Sequence, residues 1–122
     1  MKMLKIAAAA LVAASSSVPA FAVSGFMTGN ELYALCTATS GVTVWQDKAR
    51  CSGYIVGVTD LMELDRHWLG AKKDCLRPDV QAGQLTDVAV QALRNHPESR
   101  DSLAADLVLV AITTAFCPVV KS

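Results

Sequence analysis

The chain has 122 residues, 52% hydrophobic and 18% charged, with eleven Lys and Arg against eleven Asp and Glu. A formal net charge of zero excludes a nucleic-acid binder driven by bulk positive charge. At this length one hydrophobic core is thin, and small exported domains usually reinforce it with covalent links.

Met1-Lys2-Met3-Leu4-Lys5 is a short basic start, and Ile6 to Ala14 is an apolar run without charge. Ser15 to Pro19 breaks that run, and Ala20-Phe21-Ala22 places small residues where a signal peptidase reads. Residues 1–22 therefore read as a removed secretory signal and residues 23–122 as a single domain. The apolar run is too short to cross a bilayer, and without a cysteine at the cleavage point no lipid anchor is expected. Removing Lys2 and Lys5 leaves nine basic residues against eleven acidic ones, so the domain is mildly acidic.

Thr28-Gly29-Asn30-Glu31 fits the capping box, and Met27 with Leu32 fits the hydrophobic staple. A first helix is predicted over about 29–39, closed by Ser40-Gly41. From Gln46, the positions Cys51, Tyr54, Ile55, Val58, Leu61, Met62, Trp68 and Leu69 recur at three- and four-residue intervals. They form one face of a second helix ending near Gly70. Residues 71–80 carry Lys72, Lys73, Asp74 and Pro78 without periodicity, which predicts a loop. A third helix over about 81–95 shows Leu85, Val88, Ala89, Ala92 and Leu93 on one side. Asn95-His96-Pro97 is the next turn, because proline suits the first position of a helix and opposes continuation of one. The fourth helix is predicted over about 97–116. Leu109 and Val110 make its middle apolar on nearly all sides, as expected of a central helix or of a subunit contact. With no strand signal, the fold class is all-α, a bundle of four helices.

All four cysteines, Cys36, Cys51, Cys75 and Cys117, follow the signal, and an even count in an exported chain predicts two disulfides with three connectivities. No C-x-x-C and no Cys/His pair at zinc-finger intervals occurs, so neither a metal nor a dithiol redox centre is expected. Cys36 and Cys51 are symmetric about the first interhelical loop, and Cys75 and Cys117 about the second. A Cys51–Cys75 bridge would require a short loop to retrace a helix about 30 Å long. The predicted pairs are therefore Cys36–Cys51 and Cys75–Cys117.

Candidates for chemistry are few. His67 and His96 stand beside charged or turn residues with no triad or H-E-x-x-H context, which favours solvated or locally hydrogen-bonded rings. Asp60 and Glu63 point away from the apolar face and read as solvated helix surface. Asp65 falls within the apolar arc and needs an arginine partner or water at the bundle's end. Gly53 and Gly57, four apart in a helix, each cost about 1 kcal/mol relative to alanine. They suggest close approach of another backbone, from this chain or from a second subunit. Trp45 and Trp68 read as core or rim residues, and only an exposed indole would read as an interface anchor. No cofactor is expected, and the chain reads as a binder rather than an enzyme.

Phe26 to Cys36, Cys51 to Asp60, Cys75 with Pro78, Gln84-Leu85-Thr86-Asp87-Val88, Leu93 and His96-Pro97, in that order, resemble the Rap/Tai immunity proteins across nearly the whole domain. Those are small periplasmic helical proteins that neutralise peptidoglycan amidases delivered by type VI secretion. The resemblance implies a periplasmic inhibitor that binds a cognate amidase and occludes its cleft, and it also implies a homodimer. The candidate partner-binding residues are Asn95, His96, Pro97, Glu98, Ser99 and Arg100, at the tip joining the last two helices. Binding of this kind needs only a rigid surface of complementary shape. The alternative reading is a periplasmic, disulfide-stapled helical chaperone of the acid-stress type, which would act without one specific partner.

Overall fold

Thr28 opens the first helix, α1 (Gly29–Cys36), in the computed structural model, which describes residues 26–117; the expected signal at 1–22 lies outside them. The Thr28 hydroxyl accepts the Glu31 N–H at 3.3 Å, and the Glu31 carboxylate accepts the Thr28 N–H at 2.7 Å. This is the predicted capping box. These bonds hold the Glu31 carboxyl below the usual carboxylate range, the Thr28 backbone N–H contributing most. Three residues sooner than expected, the helix stops. The Thr37 N–H and hydroxyl both donate to the Tyr33 carbonyl, the hydroxyl at 2.7 Å, and Gly41 turns the chain at a φ of 106°.

The second helix, α2 (Val44–Trp68), begins two residues before Gln46 and ends where expected. Gly70 takes a left-handed φ of 88°, the Gly70 N–H donates to the His67 carbonyl, and the Ala71 N–H reaches back to Arg66. That is a Schellman stop, which glycine allows without strain. The predicted loop follows, and α3 (Ala82–Asn95) starts with the Gln81 N–H donating to the Gln84 side chain at 2.7 Å.

The expected fourth helix over 97–116 is divided. Pro97–Ser99 form a 3-10 turn, Leu103 is extended in a single bridge with Thr28, and α4 runs only over Ala104–Phe116. The cause lies in the orphan donors of α1. The first N–H groups of a helix have no partner within it. Those of Gly29 and Asn30 donate to the carbonyls of Ser102 and Arg100, at 3.0 and 2.8 Å, and Met27 accepts the Ala104 N–H at 2.8 Å. A helix continuing through 100–103 would use those carbonyls internally and leave α1 unsatisfied.

The four helices pack around Leu32, Cys51, Ile55, Leu85, Ala89, Leu93, Val108 and Ile112, and no strand occurs among the described residues. Both predicted disulfides are present, Cys36–Cys51 and Cys75–Cys117, each with its Cα atoms 5.1 Å apart. Among the largest fully buried side chains is Ile112. Truncation to alanine at Ile112 is expected to cost about 2–5 kcal/mol, readable as a lower urea midpoint with an unchanged slope.

Three expectations for α2 are corrected by the packing. Cys51, Ile55 and Met62 take the core side of α2, and Leu61, Trp68 and Leu69, expected on that face, lie off it and are 65%, 82% and 81% exposed; Trp45 is exposed as well. Asp65, by contrast, is exposed to water, one of the two environments expected for it. A Cβ built on Gly53 or Gly57 meets nothing within 4 Å, so none of the described helices crosses there. Glu63, expected on a solvated surface, is half-buried and accepts the N–H groups of Cys75 and Leu76 at 3.2 and 2.8 Å. It fastens the loop that presents Cys75 to Cys117.

Candidate functional site

The six candidate residues are contiguous, and the fold keeps them at the turn between α3 and α4. Asn95 ends α3, and His96 leaves helical geometry at a φ of −123° and ψ of 62°. Pro97 then starts the 3-10 turn with its ring in the position that needs no N–H. The His96 carbonyl accepts both the Ser99 N–H and the Ser99 hydroxyl at 3.2 Å, which closes the turn on itself. Asn95, His96, Pro97 and Glu98 are exposed, and Ser99 is half-buried.

Arg100 is not part of that exposed set. Its Nε donates to the Leu93 carbonyl, its Nη2 reaches the Arg94 carbonyl at 3.4 Å, and its guanidinium lies 3.8 Å from the centre of the Tyr33 ring. The cation therefore sits against the carbonyl end of α3, where positive charge is favoured, and stacks on α1. One side chain ties the turn to two helices. Beneath it, the Asn30–Arg100 and Gly29–Ser102 backbone bonds hold the same segment from the other side.

The exposed end of the turn carries Glu98. Its carboxyl is held below the usual carboxylate range, chiefly by its own backbone N–H and then by the His96 side chain at 3.1 Å. At neutral pH it is an anion on a fixed support. Behind the turn an apolar groove of about 500 Å³ runs between α3 and α4, lined by Val88, Ala92, Val110 and Ala111, with His96 and Ser99 at its tip end. Side-chain chemistry elsewhere is local. His67 bonds Asp74 at 2.6 Å across the α2 terminus, and among the described residues no group of three His, Cys, Asp or Glu side chains could hold a metal ion.

Two functional features had no clear signal in the sequence. Arg100 looked like one more polar turn residue, because its partners, Tyr33 and the Leu93 carbonyl, lie on other elements. Glu63 looked solvated, although the backbone itself held a hint. A ten-residue loop that carries a half-buried disulfide cysteine has N–H groups needing an acceptor, and a carboxylate on the adjoining helix is one.

The family model described as Rap1a immunity proteins matches residues 28–117, which includes every described helix and all four cysteines. No curated protein and no solved structure matches the chain.

Proposed function

Because the chain belongs to the Rap1a immunity protein family, we propose that it is the periplasmic immunity partner of a type VI secretion effector that cuts peptidoglycan as an amidase. Inhibition is by occlusion: the Asn95–Ser99 turn enters the amidase cleft and excludes the substrate. The observation that carries this reading is the doubly buttressed turn, which presents an ionised Glu98 on a backbone already held by Arg100 and by α1. A rigid protrusion loses little conformational entropy on docking, and a fixed anion suits the polar lining of a hydrolase cleft. No reactive residue is required, so the protein acts as a binder and not as an enzyme. Export by cleavage after Ala22 places it beside the cell wall, and no described helix is long and apolar enough to cross a membrane. As in the family it resembles, it works as a homodimer.

The test is a titration calorimetry series against peptidoglycan amidases, beginning with any encoded beside this gene. Glu98→Ala is expected to weaken binding by about tenfold or more while leaving the melting temperature within about a degree, since an exposed turn carboxylate contributes little to folding. Arg100 is unsuitable for that purpose because its removal also loosens the turn. A Glu98→Ala protein that binds and protects cell walls as well as the parent places the interface elsewhere, and the failure of every amidase to bind ends the immunity reading.

A further inference from the structure

The effector reading leaves a second concavity unused. It holds about 480 Å³ and opens where the end of α1, the start of α2 and the length of α3 meet. The Cys36–Cys51 bridge lies against it, with Cys51 buried and Cys36 half-buried. Lys48 from α2 and Thr86, Asp87, Val90, Gln91 and Arg94 from α3 complete the lining. The groove between α3 and α4 has no Asp, Glu, Lys or Arg in its wall, whereas this pocket has three such side chains, Lys48, Asp87 and Arg94. All three are exposed, and none has an ion-pair partner among the described residues, although Arg66, Arg77, His67 and His96 all do.

The fold sorts these charges by sign. Asp87, Gln91 and Arg94 follow at four- and three-residue intervals, so they share one face of α3. Glu63, late in α2, binds the loop that leads into α3, so the two helices run antiparallel and Lys48, early in α2, comes level with Arg94. Two cations therefore mark one end of the pocket and a carboxylate the other. Seven residues rise about 10 Å along a helix, and a hydrogen bond of about 2.9 Å at each end leaves about 5 Å between them. That is close to the distance from ammonium to carboxylate in a dipeptide, at about 3.3 Å per residue. We propose that this pocket binds zwitterionic dipeptides, with the peptide carboxylate on Lys48 and Arg94, its ammonium on Asp87 and its amide beside the Gln91 side chain. A simple anion would use the cations alone and gain nothing from Asp87, and a simple cation would use only Asp87. The walls are fixed before the ligand arrives, because the disulfide ties α1 to α2 and α3 packs on both. Hydrolysis of peptide amides creates ends of both signs, so such ligands suit the compartment proposed above. The assignment itself uses no residue of the Asn95–Ser99 turn and stands or falls apart from the effector reading.

Titration calorimetry of the purified chain with alanylalanine tests it, beside N-acetyl-alanylalanine, which lacks the ammonium, and alanylalanine amide, which lacks the carboxylate. The free dipeptide is expected to bind with a dissociation constant below about 1 mM, and each capped form about tenfold more weakly. Asp87→Asn should weaken the free dipeptide by about tenfold and leave the acetylated one unchanged, because that ligand has no ammonium to lose. Arg94→Gln should weaken the free dipeptide to a similar degree and leave the amide unchanged. Both side chains are exposed on a helix, so the melting temperature of each variant should stay at that of the parent. A free dipeptide that gives no binding heat overturns the proposal, as do capped forms that bind as well as the free one. Unchanged affinity of the free dipeptide for Asp87→Asn also overturns it. An acetylated form that binds more tightly than the free one marks a site for anions alone and does the same.

Discussion

Replacing Cys75 and Cys117 together by alanine is expected to lower the unfolding free energy by about 4 kcal/mol, from the loop-closure entropy that the 42-residue separation removes from the unfolded chain. The Cys36–Cys51 bridge spans 15 residues and should be worth about 3 kcal/mol by the same relation. Alanine at position 51 additionally leaves a cavity, because Cys51 is 1% exposed in the core. A domain of this size has on the order of 5–15 kcal/mol in total, so loss of either bridge should move the urea midpoint far toward zero, and loss of both should leave little folded protein at 37 °C. The Cys75–Cys117 loss should also appear locally. Without the bridge the 71–80 loop keeps the Glu63 carboxylate, the His67–Asp74 pair and the partly buried side chains of Leu76 and Val80, so the amides of Cys75 and Leu76 should lose hydrogen-exchange protection ahead of the core. A variant as stable as the parent would show that the loop is held by those side chains and not by the covalent link.

The sequence was most legible where the determinant was local or symmetric. Thr28 and Glu31 announce α1 because both halves of the capping box lie within one helical turn. The cysteine pairs could be read because antiparallel neighbours bring together positions equidistant from a loop, and both bridges formed as that geometry requires. Legibility ended where two apolar sets share one helix. The three- and four-residue intervals in α2 show that Ile55, Met62, Leu61 and Trp68 recur, but not that the first pair turns inward and the second pair outward. That choice depends on which side of α2 the neighbouring helices pack against, which no window of α2 contains. The fourth helix failed for the same reason. Pro97 offers a helix start ahead of the apolar set that begins at Leu103, yet the carbonyls of Arg100 and Ser102 are claimed by the N-terminus of α1, distant in sequence. The six candidate residues stay together in the fold because they are contiguous, whereas the inward turn of Arg100 could be seen only in three dimensions.

That junction between α1 and the turn makes Gly29→Ala the other large expected effect, although the change adds only one methyl group. Gly29 is buried, and a Cβ there would lie 2.5 Å from Leu107 Cδ1, 2.9 Å from the Arg100 carbonyl oxygen and 3.0 Å from the Arg100 Cα. The leucine tip can rotate aside. The Arg100 backbone cannot, because the Asn30 N–H holds its carbonyl at 2.8 Å and its guanidinium is fixed on Leu93 and Tyr33. Either α1 withdraws and leaves the Gly29 and Asn30 donors unpaired, or the Pro97–Ser99 turn moves off its support. Overpacking together with lost buried hydrogen bonds should cost about 2–4 kcal/mol. Gly53→Ala is the matched control: its Cβ meets nothing, and relief of the glycine penalty in a helix should raise stability by about 0.5–1 kcal/mol. Equal melting temperatures for the two variants would remove the steric argument. Under the proposed function, Gly29→Ala should also slow association with the cognate effector while Gly53→Ala leaves that rate unchanged, since only the first displaces the turn. Because Glu98→Ala should lose affinity at constant stability and Gly29→Ala should lose both, the pair separates what the turn presents from what holds it in place.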